Sequence, residues 1–371
     1  MNKIAILGVG FGSLGMVLPL FVVKANRLVA GNLLGVLGSP MFFWLIPLLC
    51  LITLVTISKL KTRGIALLSL GQLTLLVLLF LLSVSSRELG INPISRIAPA
   101  SGFWLLFLGA GLVAYAGALE MRRLWFASLG FLFIAFFLLF GWLDSLSVLR
   151  EYTANQAEFW QEALRHLQLA FFAWILSSLL GLVLGVYSAS RPRVLRLSLG
   201  LANALQTIPS IALFALLIPF FSALARNFPI LENLGIRGIG FAPALTALTL
   251  YGVLPVLRGT ILGLQNIPES PLEAARGLGF TPSQIFWQVK LPLSIPLLLE
   301  GLRLAAVSLI GLTALSSLIG AGGLGGFIFT GLGSGAIDRV LLGAIPTLVL
   351  ALLVNSGLRG LEFGLTPQGL K

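Results

Sequence analysis

Charged side chains are scarce in this sequence. Asp, Glu, Lys and Arg together make up 10% of 371 residues, with 12 acids against 24 bases. No soluble domain covers its surface with so little polarity, which excludes a water-soluble fold. The only cysteine, Cys50, sits inside an apolar run, so no intrachain disulfide can form and packing is its expected role. The only histidine, His166, and the scattered carboxylates offer no metal cluster. No G-x-x-x-x-G-K-[ST] phosphate loop occurs, so the chain is not expected to bind or hydrolyse ATP, and no cofactor is expected. No convincing cleavage site follows the first apolar segment, which argues against a signal peptide.

Apolar residues are what the chain has instead, at 58%, with a mean hydropathy of +1.04. Runs of roughly 17–25 apolar residues read as spanning helices. About ten fall near 4–23, 41–57, 64–83, 103–119, 124–143, 168–188, 199–222, 241–262, 296–319 and 340–357. The predicted fold is therefore an all-α polytopic membrane protein with about ten transmembrane helices. A net charge of +12 would suit nucleic acid. The bases, however, lie in short clusters between apolar runs, as in cytoplasmic loops beside an anionic leaflet, so the partner is membrane lipid and nucleic acid is discounted.

Those clusters set the orientation. Lys59, Lys61 and Arg63 form one, Arg122 and Arg123 a second, Arg191, Arg193 and Arg196 a third. All face the cytoplasm if both termini do, as do Arg276, Lys290, Arg359 and Lys371. Lys24 and Arg27 fall outside and weaken that reading for the first helix. Trp44, Trp104, Trp125 and Trp142 sit near predicted helix ends, as an interfacial aromatic belt does.

The polar segment Asp144–Gln168 divides the chain into an N-terminal accessory membrane region, 1–155, and a second region, 156–371, each with about five spans. The segment reads as an external amphipathic helix on the membrane surface, with Phe159, Trp160 and Leu164 towards lipid, its four carboxylates in water, and His166 as an ordinary interfacial histidine. In the first region, Gly8, Gly10, Gly12, Gly15, Gly109 and Gly111 permit close helix packing.

The second region is organised around EAARGLGFTPSQIFWQVKLP, residues 273–292. It reads as two short helices at an angle. The first starts near Pro271 and is stopped by Gly277 and Gly279. The second is capped by Thr281, with Pro282 just inside and Gln284 three residues on, and Pro292 and Pro296 lead back to an apolar segment. Glu273, Ala274, Ala275, Gly279, Val289, Leu291 and Pro292 match at every spacing the signature loop of ABC-importer permeases, which they resemble. The resemblance implies a type I importer permease core over 156–371, with 263–295 as the cytoplasmic coupling loop. It also implies a partner ATPase inside, a substrate-binding protein outside and a second permease copy. Glu273 is then expected to anchor the loop through charge or hydrogen bonds. Ala274 and Ala275 give a small-residue contact, Gly279 permits the turn, and Leu291 and Pro292 close the motif.

Gln206, Thr207, Pro209 and Ser210 are polar or helix-breaking groups at mid-helix depth and are the expected lining of a translocation path. Glu300 and Arg303 share a helix face at i, i+3 but are expected to snorkel to the interface. Gly320, Gly322 and Gly325 satisfy G-x-G-x-x-G, yet a membrane helix precedes them in place of a strand, so a flexible re-entrant or gating turn is expected rather than a dinucleotide site. LYGVLPVLRGTILGL at 250–264, IGLTALSSLIGAGGLG at 310–325 and the run on to GAIPTLVLAL resemble permeases for osmoprotectants such as glycine betaine, choline and carnitine. That resemblance implies a quaternary-amine cargo. Another small solute such as an amino acid, or an ion-coupled secondary transporter, are the alternatives; no buried carboxylate supports the latter.

Overall fold

A computed structural model describes residues 2–25, 31–35, 43, 45–58, 62–89, 95–123, 126–127, 129–233 and 235–365. Arg27, Trp44, Lys59, Lys61, Trp125 and Lys371 lie outside the described residues. The chain forms two compact units, Met1–Ala154 with Gly335–Asp338, and Asn155–Ser334 with Arg339–Lys371.

The first unit contains α1 (Lys3–Val17), β1 (Phe21–Lys24), β2 (Asn32–Leu34), α2 (Leu45–Ile57), α3 (Arg63–Leu89), β3 (Arg96–Pro99), α4 (Ser101–Glu120), α5 (Leu129–Leu139) and α6 (Ser147–Ala154). The all-α expectation is corrected here. The predicted first helix, 4–23, stops at Val17, because Leu18 precedes Pro19 and is driven to extended backbone (φ −89, ψ 159). The Phe21–Lys24 stretch, with β-branched Val22 and Val23 at its centre, then becomes the central strand of a three-stranded antiparallel sheet of order β2-β1-β3, with Val22 opposite both Leu33 and Ala98.

Helices α1 and α4 meet at glycines. A Cβ on Gly8 would stand 2.8 Å from the Gly109 carbonyl oxygen, and one on Gly109 2.6 Å from that of Gly8, so only glycine admits this approach. Gly10 and Gly111, expected to act likewise, face open space. At one end of the unit Glu120 accepts hydrogen bonds from Arg63 (2.8 Å) and from Asn2 (3.0 Å), whose own side-chain oxygen caps α1. Cys50 is exposed on α2 rather than packed.

The second unit contains α7 (Gln156–Ala189), α8 (Pro192–Thr207), α9 (Ser210–Asn227), α10 (Pro229–Asn233), α11 (Phe241–Gln265), α12 (Glu269–Gly277), α13 (Pro282–Ile285), α14 (Leu291–Thr313), α15 (Gly325–Ser334) and, from Arg339 on, α16 (Ile337–Leu365). Helix α11 is its axis, with Ala244, Ala247, Leu248, Val256 and Leu257 wholly buried. Small residues bring its neighbours close. A Cβ on Gly185 of α7 would lie 2.6 Å from Thr260, and one on Gly259 would lie 2.8 Å from the Cα of Gly301 on α14. Trp174 of α7 donates to the Leu302 carbonyl of α14 at 2.9 Å.

Two expectations for the dividing segment are overturned. Residues 156–168 do not form a separate surface helix; they are the first third of the 34-residue α7. Phe159 is buried and packs against Phe327 (centroids 6.2 Å apart), while Trp160 and Leu164 are exposed as expected. The carboxylates do not all face water, since Glu151 is 2% exposed.

Seven described helices are long and apolar enough to cross a membrane: Arg63–Glu88, Ser101–Glu120, Gln156–Ala189, Ser210–Asn227, Phe241–Gln265, Pro282–Ile319 and Ile337–Glu362. Lys3–Val17, Leu45–Ile57 and Leu129–Leu139 are apolar but shorter.

Candidate functional site

The elbow is built by standard capping chemistry. Helix α12 begins after Pro268, two residues before the expected start, which leaves Pro271 in the first turn, where no N–H is required. Its end is a Schellman motif: Phe280 N–H donates to the Ala275 carbonyl (3.1 Å) and Gly279 N–H to that of Arg276 (2.9 Å). Gly279 carries the left-handed backbone this needs, φ +78. Thr281 and Gln284 then form the expected capping box, the Gln284 N–H donating to Thr281 Oγ1 at 3.3 Å and the Thr281 N–H to Gln284 Oε1 at 2.8 Å.

The second half of the elbow differs from the expectation. It is no separate short helix but the head of a continuous run, Pro282–Ile319. Residues Phe286–Lys290 take a π turn, in which the Leu291 N–H reaches back five residues to the Phe286 carbonyl. Pro292 and Pro296 have no N–H to give, yet the helix continues through both.

Leu272 and Ala275 bury the inner face of α12, while Glu273 and Ala274 are exposed and Leu291 and Pro292 half-buried. Among the described residues Glu273 has no hydrogen-bond or ion-pair partner; Arg276 turns instead to Glu269, 2.8 Å away. Leu278, to which sequence reasoning assigned no role, and Trp287, one of the apolar side chains of the second arm, are 76% and 63% exposed. Two large apolar side chains in so polar a stretch are the signal that marks them.

Gln206, Thr207, Pro209 and Ser210 come together at a true interruption of the helix. Helix α8 ends at Thr207 and α9 starts at Ser210, with Ile208 extended between them. The freed Ile208 carbonyl accepts a hydrogen bond from the Tyr251 hydroxyl of α11, and Gln206 Nε2 donates to the Tyr251 carbonyl at 3.1 Å. Further along α11, Arg258 donates to Asn203 Oδ1 of α8 (2.6 Å), and Gln265 Nε2 to the carbonyl of Ala189, the last residue of α7 (3.2 Å). Tyr251→Phe should leave the Ile208 carbonyl unpaired and destabilise the protein by about 1–2 kcal/mol. Thr207→Val, whose hydroxyl bonds only the Ala204 carbonyl of its own helix at 2.7 Å, should stay near neutral. Thermal melting of the two variants in detergent separates them.

The glycine run is a tightly held turn rather than a loose one. Gly320, Gly322 and Gly323 all have positive φ. Ser316 donates to the Gly322 carbonyl at 3.0 Å, and Gly240 N–H to the Ile319 carbonyl at 2.8 Å. Glu162 of α7 accepts the Gly323 N–H and also pairs with Arg165. Beside them His166 is no interfacial residue: it is wholly buried, and its Nε2 hydrogen-bonds to the Ile310 carbonyl at 3.0 Å.

The Glu300–Arg303 pair also departs from the snorkelling expectation. Arg303 is half-buried, pairs with Glu300, and reaches Asn355 (3.0 Å) and Glu362 (3.5 Å) on α16. It ties α14 to α16 instead of reaching for the interface.

Comparison with known proteins follows this division of the chain. Residues 177–366 match the family model described as "Binding-protein-dependent transport system inner membrane component". Residues 2–149 match that described as "ABC transporter permease YehY, N-terminal domain". Similar curated proteins include the carnitine transport permease protein OpuCB of Listeria monocytogenes, 38% identical over 56% of this chain and 88% of that protein. The choline transport system permease protein OpuBB of Bacillus subtilis is 34% identical over 58% and 93%. The osmoprotectant import permease protein OsmW of Salmonella typhimurium is 37% identical over 56% and 91%.

Proposed function

Because the chain belongs to the family of binding-protein-dependent transport system inner membrane components, we propose that it is the permease subunit of an ATP-driven importer for a quaternary-amine osmoprotectant such as glycine betaine, choline or carnitine. The observation that carries the cargo class is the 34–38% identity to permeases named for carnitine, choline and osmoprotectant transport. The chain supplies the membrane path; a separate ATPase subunit supplies hydrolysis.

In this reading a binding protein delivers cargo outside, and two permease copies enclose the path. The elbow at 263–295 docks on the ATPase through Glu273, Ala274, Ala275, Gly279, Leu291 and Pro292, with Leu278 and Trp287 as apolar anchors. ATP draws the ATPase subunits together, and the elbows pass that motion to α11 and α14. The outcome is a two-state equilibrium biased by ATP and by loaded binding protein. Gln206, Thr207, Pro209 and Ser210 line the path, with the α8–α9 break supplying polar backbone at depth. Residues 1–155 are an accessory membrane region to a complete core at 156–371.

The three shorter apolar helices bring the count to about ten crossings, with both termini cytoplasmic. Reporters fused after residues 190 and 280 should then show cytoplasmic activity, and those after 150 and 230 external activity. An active external-only reporter at 280 overturns the orientation.

The cargo test is uptake into vesicles holding the permease, its ATPase and its binding protein. Labelled glycine betaine or choline should accumulate with ATP, while methionine and proline should not. A quaternary ammonium has no N–H donor and is best held by aromatic faces, at about 0.5–2 kcal/mol per ring. Those rings belong chiefly to the binding protein, since a path must release what it admits. Uptake of an unrelated solute with neither quaternary amine sinks the cargo assignment and leaves the permease assignment intact.

A further inference from the structure

Arg258 is the only charged side chain on α11. In the C-terminal half of that helix only Arg258, Leu262 and Gln265 are exposed, and their i, i+4, i+7 spacing makes them one stripe. Tyr251, seven residues earlier, lies on the same face. Helix α8 runs beside this stripe and is joined to α11 by two hydrogen bonds, Arg258 to Asn203 and Gln206 to the Tyr251 carbonyl; Gln265 reaches Ala189 at the end of α7, and the Tyr251 hydroxyl reaches Ile208 in the α8–α9 break. The seam is a polar ladder from the elbow end of α11 to the α8–α9 break.

Arg258 stands seven residues, about 10 Å of helical rise, inside the end of α11. An exposed guanidinium at that depth is strongly disfavoured against hydrocarbon, so this face borders water or solute rather than lipid tails. Among the described residues no carboxylate pairs with Arg258. Its one hydrogen bond goes to the Asn203 side-chain oxygen. The guanidinium has five N–H donors and no acceptor, and an amide whose oxygen is engaged offers its NH₂. The pair thus presents donors and a positive charge. That combination receives a carboxylate and repels a bare cation.

We infer that Arg258 and Asn203 form a carboxylate-reading station on the path. The cargo is then a zwitterionic quaternary amine carrying a carboxylate, of the glycine betaine or carnitine class, rather than the plain cation choline. The inference rests on the proposed importer function and narrows its cargo. A single guanidinium seconded by one amide attracts the carboxylate without trapping it. The ammonium end trails away from the charge.

The test measures uptake at saturating glycine betaine, carnitine and choline in vesicles holding the full assembly, for wild type, Arg258→Gln and Arg258→Lys. Co-purification with the ATPase confirms that each variant is folded. The wild type is expected to carry the two zwitterions about tenfold faster than choline, the effect of one charge-assisted hydrogen bond. Arg258→Gln should slow the zwitterions about tenfold and narrow the gap to choline, whereas Arg258→Lys should keep most of the zwitterion rate. Equal slowing by Gln and Lys makes the residue structural and overturns the inference. So does a wild type that carries choline as fast as betaine, or a Gln variant that matches wild type. Choline uptake without betaine also overturns it, while leaving the proposed importer standing. Absence of all three cargoes removes the importer reading itself.

Discussion

A protein carrying Gly279→Val together with Glu273→Lys is expected to insert in the membrane normally and to lose ATP-driven uptake. The two changes strike the elbow by different routes. Gly279 holds φ +78, a backbone region that a β-branched residue enters only under strain, at about 1–2 kcal/mol or more. No atom lies within 4 Å of the Cβ that valine would add, so the damage comes from backbone conformation and not from crowding. Relieving the strain dismantles the Schellman turn that aims α13 away from α12. Glu273 is exposed and has no partner among the described residues, so its reversal leaves the chain's own packing untouched and changes only the surface offered to the ATPase. Loss of about 2 kcal/mol at such an interface weakens ATPase association roughly thirtyfold. Gly277→Ala is the control: Gly277 is helical with open space around it, and alanine there should be neutral or slightly stabilising. The measurements are co-purification with the ATPase and uptake in vesicles. Normal uptake by the double variant removes the coupling assignment from this elbow.

Gly325→Ala is expected to cost more stability than any other single methyl addition in the second unit. A Cβ at Gly325 would lie 1.7 Å from the backbone oxygen of Ala314 and 2.5 Å from its carbonyl carbon. Backbone cannot swing aside as a side-chain end does. The turn would have to open, breaking the Ser316–Gly322 bond inside it and the Glu162–Gly323 contact that ties it to α7. Overpacking of this kind costs about 3 kcal/mol or more. Gly326→Ala, one residue on and facing open space, should be nearly silent. Thermal melting in detergent compares the pair, and equal melting points would show that the turn yields freely.

How much was legible depended on how local the cause was. The capping box at Thr281–Gln284 and the left-handed Gly279 were readable because both are settled within a few consecutive residues. The break at Pro209 was legible as a break, since proline removes a donor wherever it stands. Its repair was not: the Ile208 carbonyl is satisfied by Tyr251, which lies 43 residues away in sequence. The second arm of the elbow read as a short helix of its own, whereas it runs on through the π turn at Phe286–Lys290 and both prolines into α14. His166 and Glu162 looked like solvated surface because their immediate neighbours are polar. Their environment is set by Ile310 and Gly323, which only tertiary packing brings to α7.

The sequence by itself determined a membrane-spanning helical protein, the two-part layout of its hydropathy, and the elbow with its caps. Each of these follows from composition, run length or contacts within a turn. Only the tertiary structure decided which glycines touch a neighbouring helix, that Gly8 and Gly109 meet while Gly10 and Gly111 face open space. It alone showed that β1 forms a sheet with β2 and β3, that Arg303 ties α14 to α16, and that Arg258 stands exposed beside Asn203. The physical reason is common to all of these. In a chain so uniformly apolar, hydrophobicity does not distinguish a lipid-facing side from a buried one. The orientation of each helix is chosen instead by close backbone approach and by the few polar groups that must find partners, and both are properties of pairs of elements.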